Sequence, residues 1–235
     1  MLKSVWFGDV HAPFTNRQAV KKVIEYCRFF KPALVGQIGD LYDQYSFSNY
    51  AKIVNKFTPQ QEVRAGRRIA EEMWEAIRAA SPKARLIQKT GNHCSRIVKR
   101  VTEVLPSVLL TFKMKKQGKD EIQHLVNINK LFEFDGVETD MDYTNETRFP
   151  GYMACHGFRN RGEHVKYYGQ NVVVGHSHLG GVDYLRRGNK SLWELNCGFL
   201  GDSNSLVFRY GDNRLKNWTP GYGVIDDLGP RFVAL

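Results

Sequence analysis

Residues 3–11 read KSVWFGDVH. This short apolar run, with a β-branched residue and two aromatic residues, predicts a buried strand. It ends at a glycine that is followed by an aspartate and a histidine. Comparable runs end beside a glycine at 33–43 (ALVGQIGDLYD), 85–93 (RLIQKTGNH), 152–157 (YMACHG) and 171–178 (NVVVGHSH). Five predicted strands therefore end where residues that can bind a metal or carry a proton begin.

Helical periodicity separates several of these runs, which is typical of an α/β fold. One helix is predicted from about Asn16 to Phe30, with Thr15 as its N-cap, and a second from Pro59 to Ala80. Further strands are predicted at 192–195 and 223–225. In open α/β sheets the ends of the strands converge on one crevice, so we expect the five motifs to form one site.

The chain has 235 residues, of which 42% are hydrophobic and 25% charged, as in ordinary globular proteins. We expect a single domain over residues 1–235. The helical and strand patterns become irregular between about 95 and 150, where weak strand signals occur at 125–128 and 131–134. We interpret this segment as a basic insertion or cap on the main sheet.

The formal net charge is +10, from 34 basic and 24 acidic residues. Seven basic residues and two acidic ones lie between Ser95 and Asp120, so this short segment carries half of the surplus. Together with Arg159 and Arg161 after the fourth motif, it could form a groove that tracks the phosphates of a nucleic acid. The alternative is an ordinary solvated helix face.

No run of apolar residues is long enough to span a bilayer, and no signal peptide is recognisable at the N-terminus. The four cysteines show no CxxC spacing, which argues against a disulfide framework and a thiolate zinc site. We therefore expect no membrane partner and a cytoplasmic location, in a bacterial cell or a phage-infected host.

The donors in the five motifs are imidazole, carboxylate and amide groups, which suit manganese, iron, zinc or nickel better than calcium or magnesium. The ordered series DxH, GDxxD, GNH, HG and GHxH resembles the calcineurin-like metallophosphoesterases, in particular phage and bacterial members. The resemblance covers most of the chain. It implies a four-layer α/β/β/α sandwich and two divalent transition-metal ions, for which we expect manganese.

The resemblance also implies the role of each motif residue. One ion would be held by Asp9, His11 and His178, the other by Asn92, His156 and His176, with Asp40 bridging the two. A hydroxide bridging the ions would attack phosphorus. His93 would act at the leaving-group oxygen, with Asp43 orienting its ring.

Arg96 could bind a substrate phosphate, and the alternative is a solvated position on a helix. Phosphoprotein phosphatases of this superfamily carry Arg-Gly after the second motif, where this chain has Gln44 and Tyr45. We therefore expect a phosphodiesterase that acts on nucleic acid, a nuclease. The alternatives are a phosphomonoesterase, a nucleotide or cyclic-nucleotide hydrolase, and a non-catalytic binding module, which the complete ligand set disfavours.

Three other features of the sequence have two interpretations each. Aromatic residues after the second motif could stack on bases, but packing is their commoner role (Tyr42, Tyr45, Phe47 and Tyr50). His124 and His164 are expected at the surface or in packing. Cys94 is interpreted as a small residue that opens a helix, with a redox role as the alternative.

Overall fold

The computed structural model describes residues 2–49, 57–104, 112–116, 119–123, 128–141, 146–208 and 217–235. These ranges contain helices α1 (Arg17–Phe30), α2 (Pro59–Ala80), α3 (Arg96–Val104) and α4 (His164–Tyr168). The strands of the first half are β1 (Ser4–Phe7), β2 (Leu34–Gln37), β3 (Arg85–Lys89), β4 (Phe112–Lys116), β5 (Lys119–Gln123) and β6 (Val137–Asp140). Those of the second half are β7 (Thr147–Phe149), β8 (Tyr152–Ala154), β9 (Val172–Val174), β10 (Gly181–Arg187), β11 (Lys190–Asn196), β12 (Gly221–Asp226) and β13 (Gly229–Ala234).

The first sheet has the strand order β13-β12-β1-β2-β3-β6, and its strands β1, β2, β3 and β6 are parallel. Side chains alternate along β1, because successive residues of a strand point to opposite faces. Val5 and Phe7 pack against the apolar faces of α1 and α2, whereas Trp6 lies on the other face. The helices therefore cover one face of this sheet.

The second sheet, in the order β10-β11-β9-β8-β7, packs on the other face of the first. Trp6 and Ile225 of the first sheet share one buried cluster with Tyr152, Val173 and Leu195 of the second. The far side of the second sheet is covered by α4 through Val165 and Tyr168. The predicted four-layer α/β/β/α sandwich is thereby confirmed.

The two long helices begin at side-chain caps. The Asn16 carboxamide oxygen accepts a hydrogen bond from the Ala19 amide, so Asn16 and not Thr15 is the N-cap of α1. Thr15 instead donates its hydroxyl proton to the Val10 carbonyl. Thr58 and Gln61 form a reciprocal capping box at the start of α2, whose bounds match the prediction.

The segment between 95 and 150 is only in part an insertion. Its strand β6 pairs with β3 at the edge of the first sheet, and β7 pairs with β8 at the edge of the second. The strand signal at 131–134 is wrong, because residues 128–131 form a 3-10 turn and the strand begins at Val137. Residues 125–127 lie outside the described ranges. The hairpin of β4 and β5 belongs to neither main sheet.

In the described part of the chain, no helix has the length and apolar character needed to cross a membrane.

The packing of the two sheets depends on a close contact between neighbouring strands. Gly36 is the cross-strand partner of Trp6, and a Cβ atom at Gly36 would overlap the indole ring. The ring in turn makes edge-to-face contacts with Phe149 and Tyr152, at centroid distances of 5.4 and 6.2 Å. The glycine therefore leaves the space that the central aromatic residue fills.

Gly36→Ala is expected to lower the free energy of unfolding by about 1–3 kcal/mol, because it overpacks a buried layer. Urea denaturation of the wild type and the variant measures this difference. In the Trp6→Leu background the Gly36→Ala substitution should lower the free energy of unfolding by less, because the ring that the new Cβ atom overlaps is gone. Equal losses of unfolding free energy in the two backgrounds would show that the overlap is not the cause.

Candidate metal centre

All seven predicted metal ligands lie just beyond the ends of five strands. The motifs after β1, β2 and β3 come from the first sheet, and those after β8 and β9 come from the second. Because the two sheets pack face to face, the ends of these strands meet at one edge of the sandwich. The structure therefore brings together Asp9, His11, Asp40, Asn92, His156, His176 and His178.

The first group of donor atoms consists of Asp9, His11 and His178. His178 Nε2 lies 3.2 Å from His11 Nε2 and 3.2 Å from Asp9 Oδ1, and His11 Nε2 lies 3.9 Å from Asp9 Oδ1. Ligands about 2.1 Å from a common cation are roughly 3.0–3.4 Å apart in octahedral or tetrahedral geometry. Most of the observed separations are close to that range, so the three residues can share one cation.

The second group surrounds the Asn92 side chain. Its oxygen Oδ1 lies 3.0 Å from both His156 Nε2 and His176 Nδ1. Asp40 Oδ2 lies 3.2 Å from His156 Nε2. The ligand atoms of Asp9, Asp40 and His156 are also within 4.8 Å of one another. Asp40 therefore stands between the two groups, as a bridging carboxylate must.

Both carboxylates direct one oxygen atom into the site. The Asp9 Oδ2 atom accepts a hydrogen bond from the His176 amide, and Asp40 Oδ1 accepts one from the His93 amide. The other oxygen of Asp9, Oδ1, is buried and has no hydrogen-bond partner. A buried charge without a hydrogen bond is costly unless it is paired or binds a cation. The unsatisfied oxygen thus fits a metal ligand.

The charges in the site favour ionised carboxylates. Burial alone would raise the pKa of Asp40, but the imidazoles of His156 and His93 hold it well below its usual range. The pKa of Asp9 is likewise lowered, against its burial, chiefly by His178. Metal ligands have to be deprotonated, so these carboxylates are in the required state. The donor set as a whole fits two divalent cations.

Hydrogen bonds outside the donor groups set the tautomers of two ligand histidines. His11 Nδ1 lies 2.8 Å from Asp43 Oδ2, and His156 Nδ1 lies 3.0 Å from the Ile38 carbonyl oxygen. Both partners can only accept, so each Nδ1 carries the proton and each Nε2 is left for a cation. The role of Asp43 as a partner of His11 was not predicted from the sequence.

Asp43 contacts two further residues of the site. Its Oδ2 atom lies 3.3 Å from His93 Nδ1, and its Oδ1 atom lies 3.2 Å from Arg96 Nη1. Burial would raise the pKa of Asp43, but its hydrogen bond with His11 and the neighbouring His93 imidazole hold it far below the usual range. Asp43 is therefore a fixed anion between the predicted ligand His11 and His93.

His93 stands close enough to the site to be weighed as a ligand, since its Nε2 lies 3.9 Å from Asp40 Oδ2. However, Arg96 Nη2 is 2.9 Å from the same Nε2. A guanidinium can only donate a hydrogen bond, so it occupies this nitrogen and places positive charge beside it. This contact favours the predicted role of His93 outside the ligand set. The Arg96 side chain is only 13% exposed and points into the site, not into solvent.

Two buried residues that support the site were missed by the sequence analysis. Glu62 of α2 accepts hydrogen bonds from the Tyr45 and Ser46 amides and thereby holds the segment after the second motif. Asn196, at the end of β11, donates to the Gly175 carbonyl and to the Ser177 hydroxyl, and so holds the segment with His176 and His178. Spacing along the sequence does not show either set of partners.

Several residues considered in the sequence analysis do not contribute to the site surface. Tyr42 and Tyr45 are buried, so they pack and do not stack on bases, while Tyr50 lies outside the described residues. Arg161 is paired with Asp183. Cys94 is buried, and burial raises its thiol pKa to about 12, the opposite of a redox-reactive cysteine. His124 and the side chains of Lys113, Lys115 and Lys116 are outside the described part of the structure.

The fold and the donor groups together define a candidate site for two divalent cations. Two buried carboxylates, four histidines and an asparagine surround the places for two cations, and an arginine and a further histidine stand at their edge. The four-layer sandwich and the convergence of all five motifs confirm the resemblance to the calcineurin-like metallophosphoesterases.

Comparison with known proteins identifies relatives in two phages. The chain is 24% identical to the Gene 54 protein of Mycobacterium phage L5, in an alignment of 236 positions that covers 94% of this chain and 87% of the relative. It is also 24% identical to the Gene 54 protein of Mycobacterium phage D29, in an alignment of 241 positions with the same coverage. No family model matches the chain.

Solved structures with a similar course of the chain include YfcE, a phosphoesterase from E. coli, and Vps29 from Entamoeba histolytica. YfcE is 12% identical with a TM-score of 0.43, covering 96% of this chain and 88% of its own. Vps29 is 10% identical with a TM-score of 0.42, covering 99% and 98%.

Removal of the Asp43 carboxylate is expected to weaken manganese binding at one of two sites. In Asp43→Asn the charged acceptor of the His11 Nδ1 proton is replaced by a neutral amide, which can also turn its NH2 group towards the ring, and such changes typically cost about 10- to 100-fold in metal affinity. Isothermal titration with Mn²⁺ measures both sites, and Asp40→Asn should impair both because Asp40 stands between them.

His93→Ala is the matched control for these variants, because it changes a neighbour of Asp43 that is outside the predicted ligand set. It should still bind two manganese ions per chain. A loss of metal in His93→Ala equal to that in Asp40→Asn would place His93 among the ligands and contradict its predicted role.

Proposed function

We propose that the chain is a metal-dependent phosphodiesterase that cleaves nucleic acid. The observation that carries this proposal is the pair of donor groups joined by Asp40, with Arg96 and His93 at their edge. Two cations balanced by two carboxylates leave a net positive site, which is suited to an anionic phosphoester. The side chains at the edge can then act on the two sides of the phosphorus atom.

Two divalent ions at these donors would supply a nucleophile from water at neutral pH and would stabilise the negative charge of the phosphoryl oxygens. We propose manganese, with iron, zinc or nickel as alternatives, because the histidine-rich donor set is typical of these ions. The protein itself holds the donors in place. Asp43 and the Ile38 carbonyl orient His11 and His156, and backbone amides orient Asp9 and Asp40.

Arg96 and His93 supply the groups that would contact the substrate. The planar guanidinium of Arg96 can donate two hydrogen bonds to the oxygens of one phosphoryl group. When it does so, it leaves His93 Nε2, which is then free to face the leaving-group oxygen. Asp43 Oδ2 lies 3.3 Å from His93 Nδ1, and this proximity supports the orienting role for Asp43 that the resemblance implies.

The proposed substrate is a polynucleotide because the chain is strongly basic, with a net charge of +10. Lys99 and Arg100 of α3 are exposed close to Arg96 in the sequence. The position that holds Arg-Gly in phosphoprotein phosphatases has the buried residues Gln44 and Tyr45. This difference argues against a phosphoprotein substrate. The relatives in two mycobacterial phages support action in the cytoplasm of an infected bacterial cell.

A phosphomonoesterase or nucleotide hydrolase is the second candidate. It is favoured by one observation, the ion pair of Arg161 with Asp183, which removes one cation from the proposed phosphate-tracking groove. A small phosphoester would require only Arg96 and the metal centre. The two candidates therefore differ in the requirement for a polymer.

Arg96→Gln is expected to lower kcat/KM for phosphoester hydrolysis by about 10- to 100-fold, because it removes charge-assisted hydrogen bonds to the substrate. The measurement uses manganese-loaded protein and end-labelled single- and double-stranded DNA and RNA. Product lengths on a denaturing gel distinguish cleavage at the ends from internal cleavage.

Two variants control this experiment. Arg28→Gln makes the same change on the exposed surface of α1 and should leave the rate unchanged, and Asp40→Asn should be inactive. Intact polymers together with hydrolysis of a small phosphomonoester would favour the second candidate. No hydrolysis of any phosphoester by the metal-loaded wild type would reject both candidates.

A further inference from the structure

Two aromatic side chains are exposed on the segment that follows the predicted ligand His156 and on the helix after it. Phe158 is 52% exposed and Tyr167 is 59% exposed, and their rings form an edge-to-face pair with centroids 5.4 Å apart. Phe158 follows the predicted ligand His156 by two residues, so their Cα atoms are at most about 7 Å apart. Large apolar side chains at the edge of a site are typical of a surface that binds a ligand.

A cation lies on the same surface. The guanidinium carbon of Arg159 is 4.4 Å from the centroid of the Tyr167 ring and 5.1 Å from that of Phe158. Arg159 is exposed, and so is Lys166 on the adjoining helix. The surface formed by Phe158, Arg159 and Tyr167, here termed the aromatic platform, thus combines ring faces with positive charge.

The backbone below the platform is fixed by a buried histidine. His164 is fully buried, and its Nε2 atom accepts hydrogen bonds from the amides of Phe158 and Arg159, at 3.0 and 3.1 Å. His164 was expected from the sequence at the surface or in packing. The structure places it in the interior, where it also accepts these two backbone hydrogen bonds. The backbone that bears the exposed ring of Phe158 is therefore fixed by hydrogen bonds to His164.

A buried carboxylate fixes the other end of the same segment. Glu194 of β11 is fully buried and accepts hydrogen bonds from the amides of Gly162, His164 and Val165, at 2.7, 2.9 and 3.1 Å. His164 Nδ1 lies 3.5 Å from the same side chain. These two residues lie outside the donor groups of the metal centre. They hold the platform in a defined position before any ligand binds.

We infer that the aromatic platform binds the bases of single-stranded nucleic acid and so directs the neighbouring phosphodiester to the metal centre. This inference rests on the proposed function and names its substrate class. Bases stack on aromatic rings and on arginine planes, which requires that they are not already stacked within a duplex. The positive charge of Arg159 and Lys166 complements the phosphate backbone. A single strand satisfies both properties of the surface.

Phe158→Ala is expected to weaken the binding of a single strand about 5- to 100-fold, the effect of losing one stacked base. The probe is a fluorescein-labelled oligothymidylate of about 15 nucleotides with a phosphorothioate backbone, titrated with the manganese-loaded protein and followed by fluorescence anisotropy. A denaturing gel verifies that the probe stays intact. The same probe annealed to its complement should bind the wild type more weakly than the single strand.

Phe29→Ala is the matched control, because Phe29 is 84% exposed at the end of α1 and lies outside the platform. It should bind the single strand like the wild type. Phe158→Trp should restore tight binding, which an effect on folding alone would not predict. Arg159→Gln should weaken binding and reduce its salt dependence.

Three results would overturn the inference. The first is equal binding by Phe158→Ala and Phe29→Ala. The second is equal binding of single strand and duplex, both unaffected by Phe158→Ala, which would indicate a purely electrostatic groove. The third is a wild-type dimer that Phe158→Ala converts to a monomer, which would assign the platform to a second copy of the chain.

The failure of this inference can be distinguished from failure of the proposed function by a small chromogenic phosphodiester. Metal-dependent hydrolysis of that ester without affinity for the oligothymidylate would leave a phosphodiesterase and reject the platform. Binding that depends on Phe158 in a protein that hydrolyses no phosphoester would retain the platform and reject the proposed activity. If both hold, Phe158→Ala should lower kcat/KM for the polynucleotide relative to that for the small ester.

Discussion

The structure depends on two carboxylates, Asp9 and Asp40, that are buried at the meeting point of two sheets. Burial of an anion in a protein interior is costly unless hydrogen bonds or a cation compensate for it. Each carboxylate accepts a hydrogen bond from a backbone amide in the motif of another strand. The His176 amide donates to Asp9, and the His93 amide donates to Asp40. These two hydrogen bonds join four of the five motifs, and the fourth motif is joined to the second strand by the contact of His156 Nδ1 with the Ile38 carbonyl.

This convergence is reflected in the backbone of the site. Five of the seven predicted ligands, Asp9, His11, Asp40, His176 and His178, have φ between +48° and +69°, a region that residues other than glycine seldom adopt. Such conformations persist only where the surroundings fix them, and they are concentrated at functional sites. Gly91 permits the close approach of two strands here, since a Cβ atom at this position would overlap the Asp40 carboxylate. The well-packed layers around Trp6 supply the rigidity.

The sequence predicts the strands that carry motifs because their apolar runs end at glycine and a polar donor. All four edge strands of the two main sheets were missed, because none of them is a continuous buried apolar run: Val137–Asp140, Thr147–Phe149, Gly181–Arg187 and Gly229–Ala234. The motifs and the resemblance predict which residues come together at the site. The contact of Asp43 with His11 could not be predicted, because it joins residues that are 32 positions apart. The exposure of the aromatic side chains could not be predicted either, because no feature of the sequence distinguishes the buried Tyr45 from the exposed Phe158.

Asp43 links the two parts of the proposed chemistry through one buried charge. Its carboxylate is hydrogen-bonded to His11, a predicted metal ligand, and it also lies beside His93 and Arg96, the two residues proposed to contact the substrate. Charge interactions are strong at such a buried position, so a change at any of the three partners alters the field at the other two. In the proposed function, metal affinity and the handling of the phosphoester are therefore coupled through Asp43. The segment that carries the exposed Phe158 is held instead by His164 and Glu194, which lie outside the donor groups.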